Sequence, residues 1–293
     1  NMRMHRSYRK WVLHVWELNG PPDSWTAQLE SYYRGQPVFA LVGGLGQASW
    51  KPVHAFSERF EVPVVFPQID VPVVQGDNHY NLYLTRGVSL QAEVLAGFIK
   101  EQGEVKRVLQ VYRTDDAGLA ASATLRAALP PDVVLQDVVL TGPADDAFWA
   151  QTKLAQTDTW VLWLRAADLA NAPPRALPVP VYLSFDLLGG KLPPGLNQVS
   201  SKGIAITDEV VQMNTLFAMT VVSDALGHIM DSFSRDFFVE RVEHAVAKTP
   251  TPSFYPGVSL GPGQRFAAKG SAVVTVVEGE KPTLKALSGW IVP

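Results

Sequence analysis

Val38-Phe39-Ala40-Leu41-Val42 is an unbroken apolar run that enters a glycine cluster, Gly43-Gly44-Leu45-Gly46, ahead of a helix-compatible segment from Lys51 to Phe60. An apolar run of this kind predicts a strand buried on both faces. Glycines directly behind it allow a sharp turn and the close approach of another group. A helix opening beyond them directs unpaired N–H groups and a partial positive charge at whatever occupies the turn. Strand, glycine turn and helix start together predict a place to hold an anion.

The same pattern recurs along the chain. Trp11 to Leu18 reads as a strand, closed by Asn19-Gly20-Pro21-Pro22, with Asp23 or Ser24 as N-cap of a helix to Arg34. Val62 to Phe66 predicts the next buried strand, Tyr80 to Thr85 another, and Ser89 to Glu101 a helix with Leu90, Val94, Leu95 and Phe98 on one face. A second series follows, with strands at 108–112, 133–140, 159–164 and 179–184 and helices at 119–129, 144–156 and 166–172. Alternating strands and helices imply parallel sheets that bind ligands at the carboxyl ends of their strands. Two helices, 208–231 and 234–247 with Ser234 as N-cap, precede a tail of short antiparallel strands around Gly261-Pro262-Gly263 and 272–277.

Composition narrows the function more than the fold. At 293 residues the chain is long enough for two lobes, and 47% apolar with 18% charged residues is ordinary for a globular protein. A net charge of −3 gives no reason to expect nucleic acid or an anionic membrane as partner. The chain has no cysteine, which removes disulfides and thiolate metal sites and leaves the compartment open. No apolar run reaches the roughly 20 residues of a bilayer span. The chain opens Asn1-Met2-Arg3-Met4 without an apolar signal segment, so a signal peptide is expected to have been removed or never present. The six histidines (His5, His14, His54, His79, His228 and His244) show neither metal spacing nor a paired acid. No H-E-x-x-H, G-x-S-x-G, Walker loop or nucleophile with a base is visible, so an enzyme, a cofactor and a metal are not expected.

Several motifs in this order resemble the type I periplasmic binding proteins, and within them the branched-chain amino acid and amide binding proteins of ABC transporters. The pieces are Phe39-Ala40-Leu41-Val42-Gly43, Val62-Pro63-Val64-Val65-Phe66-Pro67, Val105-Lys106-Arg107-Val108 leading to Asp115-Asp116-Ala117-Gly118, Val179-Pro180-Val181-Tyr182, and Gly261-Pro262-Gly263-Gln264-Arg265 before a final ribbon. The resemblance spans about residues 30 to 290 and implies an α/β fold of two Rossmann-like lobes with parallel sheets joined by a hinge. It implies lobe 1 from residues 1–84 plus 204–258 and lobe 2 from 85–203 plus 259–293. Two departures stand out. The strand and helix that normally come first have no counterpart, so the fold is expected to lack the first βα unit. Only a short stretch lies between Leu196 and Glu209, where another strand and helix are usual.

By the same resemblance the chain is a solute-binding protein of the venus-flytrap kind. It would capture an amino-acid-like, amide or carboxylate ligand in an interlobe cleft and deliver it to the membrane permease of an ABC transporter. It would work in the periplasm or outside the cell, without inserting into the membrane. The first-lobe ligand set falls on Gln47, Ser49, Gln68 and Asp70, and the second-lobe set on Ala117, Arg165 or its neighbours, and Asp186. Asp70 stands where threonine is usual and Ala117 where an aromatic is usual, which sets this chain apart from a plain α-amino-acid binder.

Each residue also has a plainer reading. The turn from Gly43 to Ser49 contacts ligand or merely reverses the chain. Gly44-Leu45-Gly46-Gln47-Ala48-Ser49 also approximates a dinucleotide fingerprint with Asp70 as its ribose acid, although Ser49 replaces the third glycine. That would make the chain a nucleotide-dependent α/β enzyme. A third reading is the ligand-sensing domain of a receptor or regulator. Asp70 and Asp186 are ligand acids or solvated loop carboxylates. Arg165 either clamps a carboxylate bidentately or pairs with Asp168. Trp163 is expected in the core, and Trp50 in the cleft, stacked on ligand.

Overall fold

The computed structural model describes the chain except residues 1–9, 77, 171, 173–178, 190–208, 230–232, 252–254 and 278–282. It divides into two compact units, one of Asn1–Thr85 with Gln212–Ala268 and the other of Arg86–Val211 with Lys269–Pro293. Each is a parallel α/β layer structure.

The first unit is built on β1 (Leu41–Val42), β3 (Val64–Val65) and β5 (Asn81–Leu82), paired in the order β1-β3-β5. The segment that ends at Ala268 adds to the far edge, with Tyr83 N–H donating to Arg265 O and Ala268 N–H to Leu84 O. Two strands of this ladder kink and then pair again. Beyond Gly43-Gly44 the first continues as β2 (Leu45–Gly46), and beyond Phe66-Pro67 the second continues as β4 (Gln68–Ile69). Left-handed backbone makes the kink: φ is +68° at Gly43, +118° at Gly44 and +50° at Phe66. The glycines adopt it at no steric cost, whereas a bulky residue such as Phe66 does so only when its surroundings hold it there.

Alternation decides which face each side chain covers. Val64 and Tyr83 join Trp25, Leu29, Val53 and Phe56 beneath α1 (Trp25–Gly35) and α2 (Lys51–Phe60). Val65, Phe66 and Leu82 face the other way, onto Phe217, Val221 and Val222 of α7 (Glu209–Gly227) and Phe238, Val239 and Val242 of α8 (Arg235–Val246). Helices on both faces explain why these strands read as continuous apolar runs. Arg235, at the start of α8, ties the two layers together. Its guanidinium donates to the carbonyls of Val38 (2.7 Å), Phe39 (3.1 Å) and Phe60 (3.2 Å) and to the Tyr33 hydroxyl (3.1 Å).

The strand expected over 11–18 is not formed. Residues 10–19 carry no strand pairing; Leu13 is 86% exposed, and only Trp16 and Leu18 pack against the α1–α2 core. Side chains hold the segment in place of a ladder: Tyr32 donates to Glu17 O, Gln28 Oε1 accepts from Asn19 N–H, and Trp16 stacks on Tyr32. The apolar pattern supplied something to pack, but a strand also needs a neighbour for its backbone. Ser24 does precede α1, yet its hydroxyl donates to Asn19 O and Pro21 O rather than accepting from the helix.

The second unit has a four-stranded parallel sheet in the order β7-β6-β8-β9, from β6 (Arg107–Tyr112), β7 (Val134–Val139), β8 (Thr159–Trp163) and β9 (Val181–Leu183). Helices α3 (Gly87–Gln102), α4 (Asp116–Ala128), α5 (Asp146–Thr152) and α6 (Ala166–Leu169) separate the strands in sequence. Leu90, Val94, Leu95 and Phe98 of α3 are all buried, and Ser234, Asp115 and Asp145 cap α8, α4 and α5 through their side chains. Within the sheet, fully buried Gln110 accepts from Trp163 Nε1 and donates to Asp137, which also pairs with Arg126. The tail forms the expected antiparallel ribbon, β10 (Val274–Val277) with β11 (Thr283–Ala286).

Two outcomes follow for stability. Arg235→Ala should lose about 2 kcal/mol in urea unfolding, because three backbone carbonyls lose a charged donor. Arg235→Lys should recover less than half, since an ammonium cannot reproduce the fork. Asp158 Oδ2 accepts from the Lys106 and Arg107 N–H groups at 2.8 Å each, and these bonds, aided by the Arg107 guanidinium, hold its carboxyl below the usual carboxylate range. Its folded value lies below its unfolded one, so its contribution is present above pH of about 3.9 and disappears as pH falls through the depressed folded value. Asp158→Asn should therefore cost about 1.5 kcal/mol at pH 7, and wild type and variant should converge in acid.

Candidate functional site

In the first unit the expected residues gather on the kinked ladder. Gly46 and Ile69 pair across β2 and β4, and Gln47 and Asp70 follow them by one residue each. Gln68 N–H donates to Gly44 O at 2.7 Å, and Asp70 N–H to Gly46 O at 3.3 Å. Ser49 lies just ahead of α2, its Oγ 3.5 Å from the Lys51 N–H. The structure thus brings Gln47, Ser49, Gln68 and Asp70 to one end of one sheet, beside a ten-residue helix that starts at Lys51. Asp70 is only 8% exposed, which removes its reading as a solvated loop carboxylate.

Trp50 is placed differently from expectation. It is buried at 6% exposure, edge-on to Trp25, with its six-membered ring against the glycines. A Cβ at Gly46 would lie 2.9 Å from Trp50 Cζ3, and one at Gly44 3.2 Å from Cη2. Trp50 is therefore a core side chain and not a stacking face for ligand. The same geometry accounts for the glycine spacing. Gly46 sits inside a strand pair, four residues short of α2, whereas a dinucleotide fingerprint uses its second glycine to bring a pyrophosphate to the helix start. The glycines admit an indole, and the nucleotide-enzyme reading loses the motif that supported it.

The kink also brings in a residue that the sequence reading missed. Asn214 of α7 is 4% exposed, and its Nδ2 donates to Gln68 Oε1 at 3.2 Å. One turn further along α7, Phe217 stacks on Phe66 with centroids 5.7 Å apart and planes 15° apart. A signal was present: Asn214 occupies the same helical stripe as Phe217, Ala218 and Val221, where an apolar residue would be ordinary.

In the second unit the sheet order reverses between β6 and β8, and such a switch point opens a crevice at the carboxyl strand ends. Arg113 and Asp115 follow β6, and Arg165 and Asp168 follow β8. Arg113 holds Asp168 through Nη2 (2.6 Å) and Nε (3.0 Å), and also reaches Leu140 O and Gly142 O. The hydrogen bond to Asp168 raises the Arg113 pKa further. The partner foreseen for Arg165 is thus taken by Arg113. Arg165 instead lies 3.8 Å through Nε from Asp115 Oδ2, too long for a hydrogen bond, and is about a quarter exposed along its side chain. Asp115 is itself engaged as the cap of α4, accepting from Gly118 N–H at 2.7 Å. Ala117 is buried in the first turn of α4. Asp186 lies one strand further, in the turn after β9, where its carbonyl accepts from Gly189 N–H. Trp163 is in the core, as expected. Among the described residues no cluster of His, Asp or Glu could hold a metal ion, and no helix is long and apolar enough to cross a membrane.

Two α/β units, each with polar side chains at the carboxyl ends of parallel strands, define the type I periplasmic binding protein fold. Among solved structures, leucine-binding protein LivK from Thermotoga maritima matches with a TM-score of 0.68 at 13% identity, covering 100% of this chain and 92% of that one. A substrate-binding periplasmic protein from Ralstonia solanacearum matches with a TM-score of 0.64 at 12% identity, over 89% of this chain and 84% of that one. An extracellular ligand-binding receptor from Rhodopseudomonas palustris matches at 0.61 and 13%, over 91% and 87%. All three are named for binding rather than catalysis. No family model matches the sequence, and no curated protein matches it.

If the glycines serve Trp50, Gly46→Ala should destabilise the ligand-free protein by about 1–3 kcal/mol. Combining it with Trp50→Phe should give a total smaller than the sum of the two single effects, as expected for residues in contact. Additive effects in denaturant titrations would contradict the assignment.

Proposed function

We propose that this chain is a solute-binding protein of the ABC-transporter type, which captures a small amino-acid-like, amide or carboxylate molecule and presents it to a membrane permease. It would act in the periplasm or outside the cell, by binding and not by conversion. The observation that carries this reading is the coincidence of the fold with the placement of Gln47, Ser49, Gln68 and Asp70 at the strand ends of the first unit. In the second unit Arg165 and Asp186 are the proposed ligand contacts, beside the switch point where Arg113 and Asp168 form a fixed charged pair. A guanidinium at a strand's carboxyl end can take a ligand carboxylate bidentately. The α2 start beside Ser49 suits an anionic group in the same way.

Thermal unfolding against amino acids, amides, dicarboxylic and aromatic acids, and nucleotides tests the reading. A ligand present at 100 times its Kd adds about 2.7 kcal/mol to stability, which a melting curve resolves. The expected outcome is a shift with one small polar class. A shift with a nucleotide alone would overturn the proposal. With the ligand in hand, Arg165→Ala and Asp186→Ala should each weaken binding about tenfold or more and leave the ligand-free midpoint nearly unchanged. Unchanged affinity in both would remove the second-unit contacts.

A further inference from the structure

The solute-binding reading leaves the ligand's chemistry open, and the Gln68–Asn214 pair bears on it. Asn214 Oδ1 is shut off from solvent and has no hydrogen-bond partner. Its Nδ2 is engaged by Gln68 Oε1 at 3.2 Å. Buried acceptors are almost always satisfied, and one that is not marks strain or a place kept for an incoming donor. Two side-chain amides joined by one hydrogen bond have a defined remainder: one NH2 group and one carbonyl oxygen. Turning both amides over exchanges which residue supplies which, and the remainder is the same.

We propose that Gln68 and Asn214 form a subsite that reads a primary carboxamide on the ligand. The ligand's NH2 would donate to the unmet Asn214 oxygen, and its carbonyl would accept from the Gln68 NH2. A carboxylate offers acceptors only and would face the Asn214 oxygen with like charge. An ammonium would satisfy that oxygen and offer no acceptor to the Gln68 NH2. Against a carboxylate the selection is of the strong kind, because the acid leaves the buried Asn214 oxygen unpaired.

The backbone is arranged to hold the pair. Phe66, two residues before Gln68, is in the left-handed region at φ +50°, and its ring is fixed by the stack on Phe217, three residues after Asn214. Positions three apart on a helix share a face, so the Phe66–Phe217 and Gln68–Asn214 contacts brace one another. Strain of this type in a bulky residue persists where the surroundings over-determine it, and it gathers at binding sites. The subsite rests on the proposed function and lies wholly within the first unit.

Matched pairs that differ only in amide against acid provide the test: asparagine and aspartate, glutamine and glutamate, leucinamide and leucine, butyramide and butyrate. Calorimetric titration of the intact protein should give an amide that binds at least tenfold more tightly than its acid. Asn214→Leu should abolish that preference, and Gln68→Glu, which keeps the acceptor for Asn214 and loses the donor, should do the same. Asn214→Leu should unfold in urea at or above the wild-type midpoint, because it removes an unmet acceptor. Acids that bind as well as or better than their amides would overturn the amide subsite and leave the solute-binding reading standing. An Asn214→Leu protein that keeps the amide preference would overturn it as well. No heat or melting shift with any member would overturn the amide subsite.

Discussion

The kink in the parallel ladder of the first unit is the constraint on which its polar end depends. Without the left-handed turns at Gly43, Gly44 and Phe66, the strands at Leu41–Val42 and Val64–Val65 would run out straight. Because both strands turn together, they can pair again as Leu45–Gly46 with Gln68–Ile69. The second pairing sets Gln47 and Asp70 level with each other and aims Gln68 at α7. Trp50 fills the volume under the turn, in contact range of both Gly44 and Gly46. A close-packed interior tolerates no void there. The turn is therefore a packed object before any ligand arrives, which keeps the ordering cost of binding low.

Much of the fold was legible because its signals are local. Continuous apolar runs marked strands covered on both faces, and Ser234 announced the start of α8 from one residue and its spacing. What failed was non-local. The 11–18 segment has the composition of a strand, but strand formation is a property of a pair, and it pairs with no strand among the described residues. The Gly44–Gly46 spacing resembled a phosphate motif, because a sequence shows where glycine is needed and not what must come close. Arg165 and Asp168 are neighbours in sequence, whereas Arg113 and Asp168 become neighbours only once the order β7-β6-β8-β9 sets the ends of β6 and β8 side by side. Asn214 was legible in principle, as one polar residue on an apolar helical stripe, and its meaning depended on which strand end would face it.

The two units place different chemistry at their strand ends. The second uses full charges at its switch point: Arg113 is fixed by two contacts to Asp168 and two to backbone carbonyls, and Arg165 lies 3.8 Å from Asp115. Deeper in the same sheet, the chain Trp163–Gln110–Asp137–Arg126 gives both the oxygen and the nitrogen of a buried amide a partner. The Gln68–Asn214 amides of the first unit are joined by a single bond and keep a buried acceptor in reserve. The contrast separates structural polar burial from recognition. A satisfied network rigidifies its sheet, and a half-satisfied one at a strand end is poised for a partner.

Under the proposed function, neutral reading groups suit a protein that captures a solute and releases it. Burying a ligand charge against a protein charge carries a desolvation cost that only near-ideal geometry repays, and it makes affinity depend on pH and salt. An amide pair takes its selectivity from the cost of the wrong partner rather than from strong attraction to the right one. Phe66 and its stack on Phe217 hold that pair in register from outside the contact itself. On the proposed reading, selectivity is then high while the bound state stays shallow enough to release the solute.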